Sequence, residues 1–478
     1  MRTPLIPLIS AALLSLPATA QEAPPTDSAP ATAQTSVELL LQRLEEQEQR
    51  IRILERKLEL AAEAQTAATA STPVVAASPR GFNFRSPDSA NSIRLRGVIH
   101  TDSRYFFDDA APDGSNGWLL RRVRPTLEGT VGGLFDFRFT PDFAGGRTVI
   151  QDAYVTHKFK PEFVVQVGKF KTPFGLERLQ SASDLRFLER SLANNLVPNR
   201  DLGLQIGGDI AGGKLSYSVA WLNGVNDGQS SENNPTADAE TNNDKDIALR
   251  IASTPFRDSD NFALQNLTVA LAGTYADSVG AAGRTLLPGQ YRSPGQQSIF
   301  AYRTIAGSPT IADGERIRWS PQFHYAFRNY SLLGEYVAVS QGVSRTIGTA
   351  RRAATLNHNG WQLQGGWFVT GEDQSFRSPT IKSPYAKGAG GWGAVELTAR
   401  VSELSLDDET FAGAAASFAD PAAAVRNASA WAIGVNWYLT PNVKWLLNYE
   451  RTEYEGGTAS GADRPDEEVL LSRFQIAF

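Results

Sequence analysis

The 478-residue chain has no cysteine, and its one methionine is Met1. Disulfide frameworks, cysteine-ligated zinc, iron–sulfur clusters and thiol nucleophiles are therefore excluded together. Its four histidines, His100, His157, His324 and His358, are scattered. No metal site, cofactor site or nucleophile–base arrangement can be assembled around them from the sequence, so no enzyme is expected. Long apolar runs are missing as well: beyond residue 20 no window holds 18 consecutive apolar residues, and no membrane-spanning helix is expected. Charge is nearly balanced, 46 basic against 51 acidic residues for a net −5. No nucleic-acid partner is expected. The mean hydropathy of −0.27 reads as soluble, yet alternating strands can hide an apolar face inside such an average. What the chain does have is 10% aromatics and 41 glycines, a composition that favours strands and turns.

Residues 1–20 carry Arg2, an apolar core from Leu5 to Leu16, and the ending Ala18-Thr19-Ala20. This pattern predicts a secretory signal peptide cleaved after Ala20. Residues 21–35 read as a flexible Pro/Ala/Thr spacer. Over 36–63 the period becomes heptad: Val37, Leu44, Ile51 and Leu58 at a, with Leu40, Gln47, Leu54 and Ala61 at d. Arg43, Arg50 and Lys57 at g, with Glu48 and Glu55 at e, predict parallel self-association, and leave dimer or trimer open. Residues 64–90 read as a linker, mainly from the Ala/Thr/Ser/Pro stretch that ends at Pro79.

From residue 91 to 478 apolar and polar residues alternate. Ile93, Leu95, Gly97 and Ile99 share one parity, and Arg94, Arg96, His100, Asp102 and Arg104 lie on the other face. The same holds for Phe135, Phe137 and Phe139 against Asp136 and Arg138, and for Ile317 and Trp319 against Arg316 and Arg318. Tight turns at 132–133, 160–162, 212–213, 328–329 and 440–442 alternate with long polar loops at 108–117, 173–200, 223–245, 277–313, 341–355, 405–426 and 456–466. Short turns on one rim and long loops on the other predict an all-β fold, a 16-stranded antiparallel transmembrane β-barrel preceded by a coiled-coil helix. The long connections 254–265 and 371–388 fall on the short-turn rim and keep 18 strands as an alternative. Leu470, Ser472, Phe474, Ile476 and Phe478 share one parity and end the chain on phenylalanine, the pattern of a barrel-assembly-machinery substrate. Trp437 and Trp445 flank the 440–442 turn where an aromatic girdle would sit.

GKFKTPFGLE at 168–177, FVTGE at 368–372, WGAVELTARV at 392–401 and NWYLTPN at 436–442 together resemble the phosphate-selective porin O and P family. The resemblance implies a homotrimeric outer-membrane porin of a Gram-negative bacterium, passing phosphate, polyphosphate or other small anions through a basic lumen. It also implies a periplasmic coiled coil and a 173–200 loop folded into the barrel as a constriction. Parity places Arg94, Arg96, Arg104, Arg122, Arg124, Arg138, Arg316, Arg318 and Arg400 on the non-lipid face. Facing lipid at the bilayer midplane, each would cost about 2–4 kcal/mol. Lys169, Lys171 and Arg178 sit at or near the start of the constriction loop, followed by Arg186, Arg190 and Arg200. Expected anion-binding residues are thus Arg94, Arg96, Arg122, Arg124, Arg138, Lys169, Lys171, Arg178, Arg316 and Arg318. Lumenal acids (Asp102, Glu128, Asp136, Glu396) and loop acids (Glu177, Asp184, Glu189) oppose them. Two other readings fit the same residues, a general weakly selective porin and a structural or adhesive barrel.

Overall fold

Alternation at strand period puts apolar and polar residues on opposite faces, and here the apolar face is the outer one. Ile317 and Trp319 are 43% and 48% exposed, while Arg316 and Arg318 are 3% and 1% exposed. Trp431, Ile433 and Val435 are likewise exposed, with Ala432 and Asn436 buried. A soluble sandwich has the opposite arrangement; a barrel solvated by lipid needs this one.

The computed structural model describes residues 31–79, 81–107, 114–146, 148–224, 243–386, 388 and 390–478. The expected signal peptide lies outside the described residues. Sixteen long strands form the barrel. The first eight are β1 (Ser92–Phe106), β2 (Gly117–Val131), β3 (Phe135–Asp142), β4 (Val149–Lys160), β5 (Phe163–Lys171), β6 (Arg200–Ile210), β7 (Leu215–Leu222) and β8 (Asp246–Ser253). The rest are β9 (Thr268–Val279), β10 (Ile311–Phe327), β11 (Tyr330–Ile347), β12 (Ala350–Phe368), β13 (Ala394–Ser405), β14 (Val425–Thr440), β15 (Val443–Gly456) and β16 (Glu467–Ala477). Each pairs antiparallel with the next, and β16 closes on β1 with Ile476 opposite Ile99. Closure removes the edges that an open sheet would leave unpaired.

The closing seam is built by the last residue. Phe478 exchanges two backbone hydrogen bonds with Gly97, of 3.0 and 2.9 Å. Its ring occupies the space over Gly97, where a Cβ would meet it at 2.6 Å. A hairpin of Val74–Ser78 and Gly81–Arg85 precedes the barrel, and its second strand pairs with the start of β1, Phe82 opposite Leu95. Phe82 also meets the Phe478 ring edge-on at 6.2 Å. Part of the expected linker is therefore ordered sheet.

The count of 16 strands holds, but the expected loop at 341–355 does not exist. β11 runs to Ile347 and β12 starts at Ala350, with Arg345 opposite Arg352. Gly348, in the left-handed region at φ 59°, permits the two-residue turn. Polar composition suggested a loop there, whereas the strands simply continue above the apolar band. At the 440–442 turn Trp437 lies opposite Trp445, and its indole N–H donates to the Trp392 carbonyl at 2.6 Å.

Separately from residues 72–478, an α-helix spans Ala31–Ser71. It exceeds the heptad segment at both ends. No glycine or proline interrupts it, and Pro30 and Pro73 flank it. Its a and d side chains are exposed, Leu40 at 64% and Leu58 at 70%.

Candidate functional site: a basic constriction inside the barrel

The connection 172–199 folds into the lumen, because its polar anchors and apolar residues both find partners on the inner wall. Glu335 of β11 accepts the N–H groups of Leu176 and Glu177 at 2.6 and 3.2 Å. Arg186 reaches Glu396 of β13 at 2.9 Å, and Lys444 of β15 donates to the Leu185 carbonyl at 3.1 Å. Arg400 donates to the Glu189 carbonyl at 2.8 Å while paired with Glu450 at 3.1 Å. These are interactions between buried groups, where losing one partner strands the other.

The loops 280–310 and 406–424 also turn inward, contrary to their reading as polar loops. Phe174, Leu192 and Leu196 of the constriction loop pack with Leu287, Tyr291 and Phe300 of the first and Phe411 and Phe418 of the second. Val337, Val339 and Val343 of β11, Leu356 of β12 and Leu404 of β13 supply an apolar inner wall for this core. Each fully buried Leu or Phe contributes about 1.5–3 kcal/mol. The β11–β15 side of the lumen carries this apolar core, and space is left against β1, β2, β5 and β6.

That space is a cavity of about 280 Å³. β1 contributes Arg104, and β2 contributes Arg121, Arg122 and Arg124. Lys171 and Arg200 enter from the facing ends of β5 and β6, Arg178 and Arg190 from the constriction loop, and Arg292 from the 280–310 loop. Nine cationic residues thus line the cavity, and Glu189 is the one acid among the described residues lining it. Neutral donors complete it: Ser191, Asn194, Asn195, Asn199, Ser293 and Gln296.

Several of these cations are held by neutral oxygens. Lys171 donates to the carbonyls of Leu179 and Gln180 at 3.3 and 2.7 Å. Arg190 donates to the carbonyls of Glu177 and Gln180 at 3.1 and 3.2 Å. Arg178 donates to Asn199 at 3.4 Å, and its Nε and Nη2 are buried without a hydrogen-bond partner among the described residues. Arg124 and Arg200 are paired, with Asp142 at 2.6 Å and Asp152 at 2.8 Å. Burial pushes the Arg190 guanidinium down to about 10, which still leaves it charged at neutral pH. Burial works against the charge of Glu189 as well, but Arg121, Arg122 and Arg473 outweigh it and hold the carboxyl well below its ordinary value.

Of the ten residues expected to bind anions, the cavity gathers Arg122, Arg124, Lys171 and Arg178. Arg94, Arg96 and Arg138 form a second group about Glu128, at 3.5, 3.4 and 2.6 Å, near the ends of β2 and β1 where the short turns lie. Arg316 and Arg318 lie on the inner face as expected but outside the cavity lining, both directed to Asp246 at 2.7 and 3.7 Å. Lys169 is buried and also outside the lining. Parity alone missed Arg121, because a bulge opposite His100 and Thr101 inserts it beside Arg122 and turns both inward. Arg292 was missed because it arrives on a distant loop, where its backbone N–H and C=O are clasped by Asn195 at 2.9 Å each.

A family model for phosphate-selective porin O and P matches residues 93–478. No curated protein matches the chain. Among solved structures, the outer membrane channel DcaP of Acinetobacter baumannii is similar at 11% identity, covering 83% of this chain and 99% of that one with a TM-score of 0.50. An anion-selective porin from Comamonas acidovorans is similar at 14% identity, covering 81% of this chain and all of its own, 100%, with a TM-score of 0.48. Identities this low speak to the fold. The family match over the closed barrel makes the molecule an outer-membrane channel and not an enzyme. The chain belongs to the phosphate-selective porin O and P family.

Proposed function

We propose that the channel passes small anions of the phosphate class by passive diffusion, and that the cavity against β1, β2, β5 and β6 is where they lose most of their water. The observation that carries this reading is nine cations facing one carboxylate in about 280 Å³. An anion entering so confined a space exchanges hydration for guanidinium donors, and arginine can meet two oxygens of one tetrahedral anion at once. Arg94, Arg96 and Arg138 serve as a second cationic station, while Lys169, Arg316 and Arg318, the last two facing Asp246, stand outside the selecting cavity. The working form is a homotrimer, with the exposed heptad stripe from Val37 to Leu58 self-associating in the periplasm. The strand ending at Phe478 is the segment read by the barrel-assembly machinery.

Phosphate titration of the chloride current in planar bilayers tests the proposal. Phosphate should reduce chloride conductance in a saturable way, and chloride current indifferent to phosphate would refute the phosphate class. A general, weakly selective porin is the second reading. It is favoured by the buried ion pairs that neutralise part of the lumen, such as Arg473 with Asp102 at 2.6 Å and Arg400 with Glu450 at 3.1 Å. A barrel carrying no current at all would leave a structural or adhesive role.

A further inference from the structure

We infer that Glu189 is a resident counter-ion occupying a four-arginine oxyanion site, and that a passing anion must displace its carboxylate to bind there. This deepens the anion-channel reading and rests on it. The geometry is as follows: Glu189 Oε1 lies 2.6 Å from Arg121 Nε, 3.6 Å from Arg473 Nη2 and 3.8 Å from Arg104 Nη2. Its Oε2 lies 3.3 Å from Arg121 Nη2 and 3.7 Å from Arg122 Nη2. Four guanidinium groups from three strands, β1, β2 and β16, thus converge on two carboxylate oxygens. Only the contact to Arg121 has the distance of a full charge-assisted hydrogen bond; the other three are longer than a hydrogen bond of normal length. Arg473 is already held by Asp102 at 2.6 and 2.7 Å, but Arg104 and Arg122 face Glu189 at distances too long for full hydrogen bonds, so one carboxylate cannot saturate the donors that remain. A tetrahedral dianion, with four oxygens and twice the charge, can.

The attachment of Glu189 fits displacement. Its main chain is held independently of its side chain, through the carbonyl that accepts from Arg400 at 2.8 Å. Swinging the carboxylate aside leaves that anchor intact. The neighbouring Ser191 is fixed by Glu177, whose carboxylate accepts its N–H and hydroxyl at 3.0 and 2.8 Å. A tethered carboxylate within the site weakens net anion binding by competition, and so speeds release; conduction needs binding loose enough to leave.

The test uses the full-length channel in planar bilayers with inorganic phosphate as the probe. Glu189→Ala and the volume-preserving Glu189→Gln should each lower the phosphate concentration that half-blocks chloride current by tenfold or more, and lower the phosphate conductance at saturation. A residue that merely orders the arginines would give the opposite sign, so an unchanged or raised half-blocking concentration in an assembled variant overturns the inference. Failure of both variants to assemble overturns it too, because a displaceable counter-ion is not needed for folding. The wild-type control separates the two levels: a cation-selective wild type refutes the anion-channel reading itself. An anion-selective wild type with unaltered variants refutes only the role of Glu189.

Discussion

Arg124 and Arg318 share a face by strand parity, yet the structure gives them different surroundings. Arg124 lines the cavity; Arg318 is buried at 1% exposure, with Thr274 at 2.9 Å and Asp246 at 3.7 Å. Arg124→Gln should therefore shift the reversal potential in a salt gradient toward zero. Arg318→Gln should leave it almost unchanged and instead destabilise the barrel by about 1–3 kcal/mol, read as a lower urea midpoint, since Thr274 loses a buried partner. Equal shifts in reversal potential would show that the cavity is not where selection occurs. A pH dependence follows from Glu189 as well. Its folded-state value is depressed below 4.5, so its ion pairs hold above the unfolded value and are lost only as pH falls through the depressed one. The difference in chloride selectivity between the wild type and Glu189→Gln should therefore stay constant as pH falls from 7 to 3.5, and a difference that closes with a midpoint near 4.5 would show Glu189 titrating normally. At this scale sequence parity found the lumenal face and part of the site, Arg122 and Arg124. Arg121 depends on a bulge, and Arg292 on a loop clasp, neither of which leaves a periodic mark.

At the scale of elements, the constriction loop is held by several wall contacts acting as a unit. Arg186 and Arg400 are two of its charged anchors, to Glu396 and to the Glu189 carbonyl. Arg186→Met with Arg400→Met should release the loop, giving a larger and noisier single-channel conductance with weaker anion preference. Conductance like that of the wild type would mean that the apolar packing of Phe174, Leu192 and Leu196 is sufficient by itself. The strands were legible because lipid on one side and water or loops on the other enforce alternation along each one. The inward turn of 280–310 and 406–424 was not legible. These segments look polar on average, and their aromatic residues meet partners only after the barrel has closed. The two-residue turn at Gly348 was hidden for a related reason: above the apolar band, strand and loop have the same polar composition.

The barrel closes through Phe478 on Gly97, and a side chain at 97 would collide with the ring at 2.6 Å. Gly97→Val should sharply reduce the fraction of heat-resistant assembled barrel, while normal assembly would show that the seam tolerates displacement of the last residue. The absence of cysteine, which first only excluded chemistries, makes the helix testable. Ile51→Cys places the molecule's sole thiol at an a position. Parallel, in-register association should give a disulfide between copies on mild oxidation, and no cross-link would refute it. The net −5 turns out to say little about the solute, because charges in exposed loops are summed with a cationic lumen. The most direct measurement of what that lumen selects is the zero-current potential of the wild-type channel between unequal potassium chloride solutions. A potential of the sign set by chloride is the result this structure predicts, and one set by potassium would contradict it.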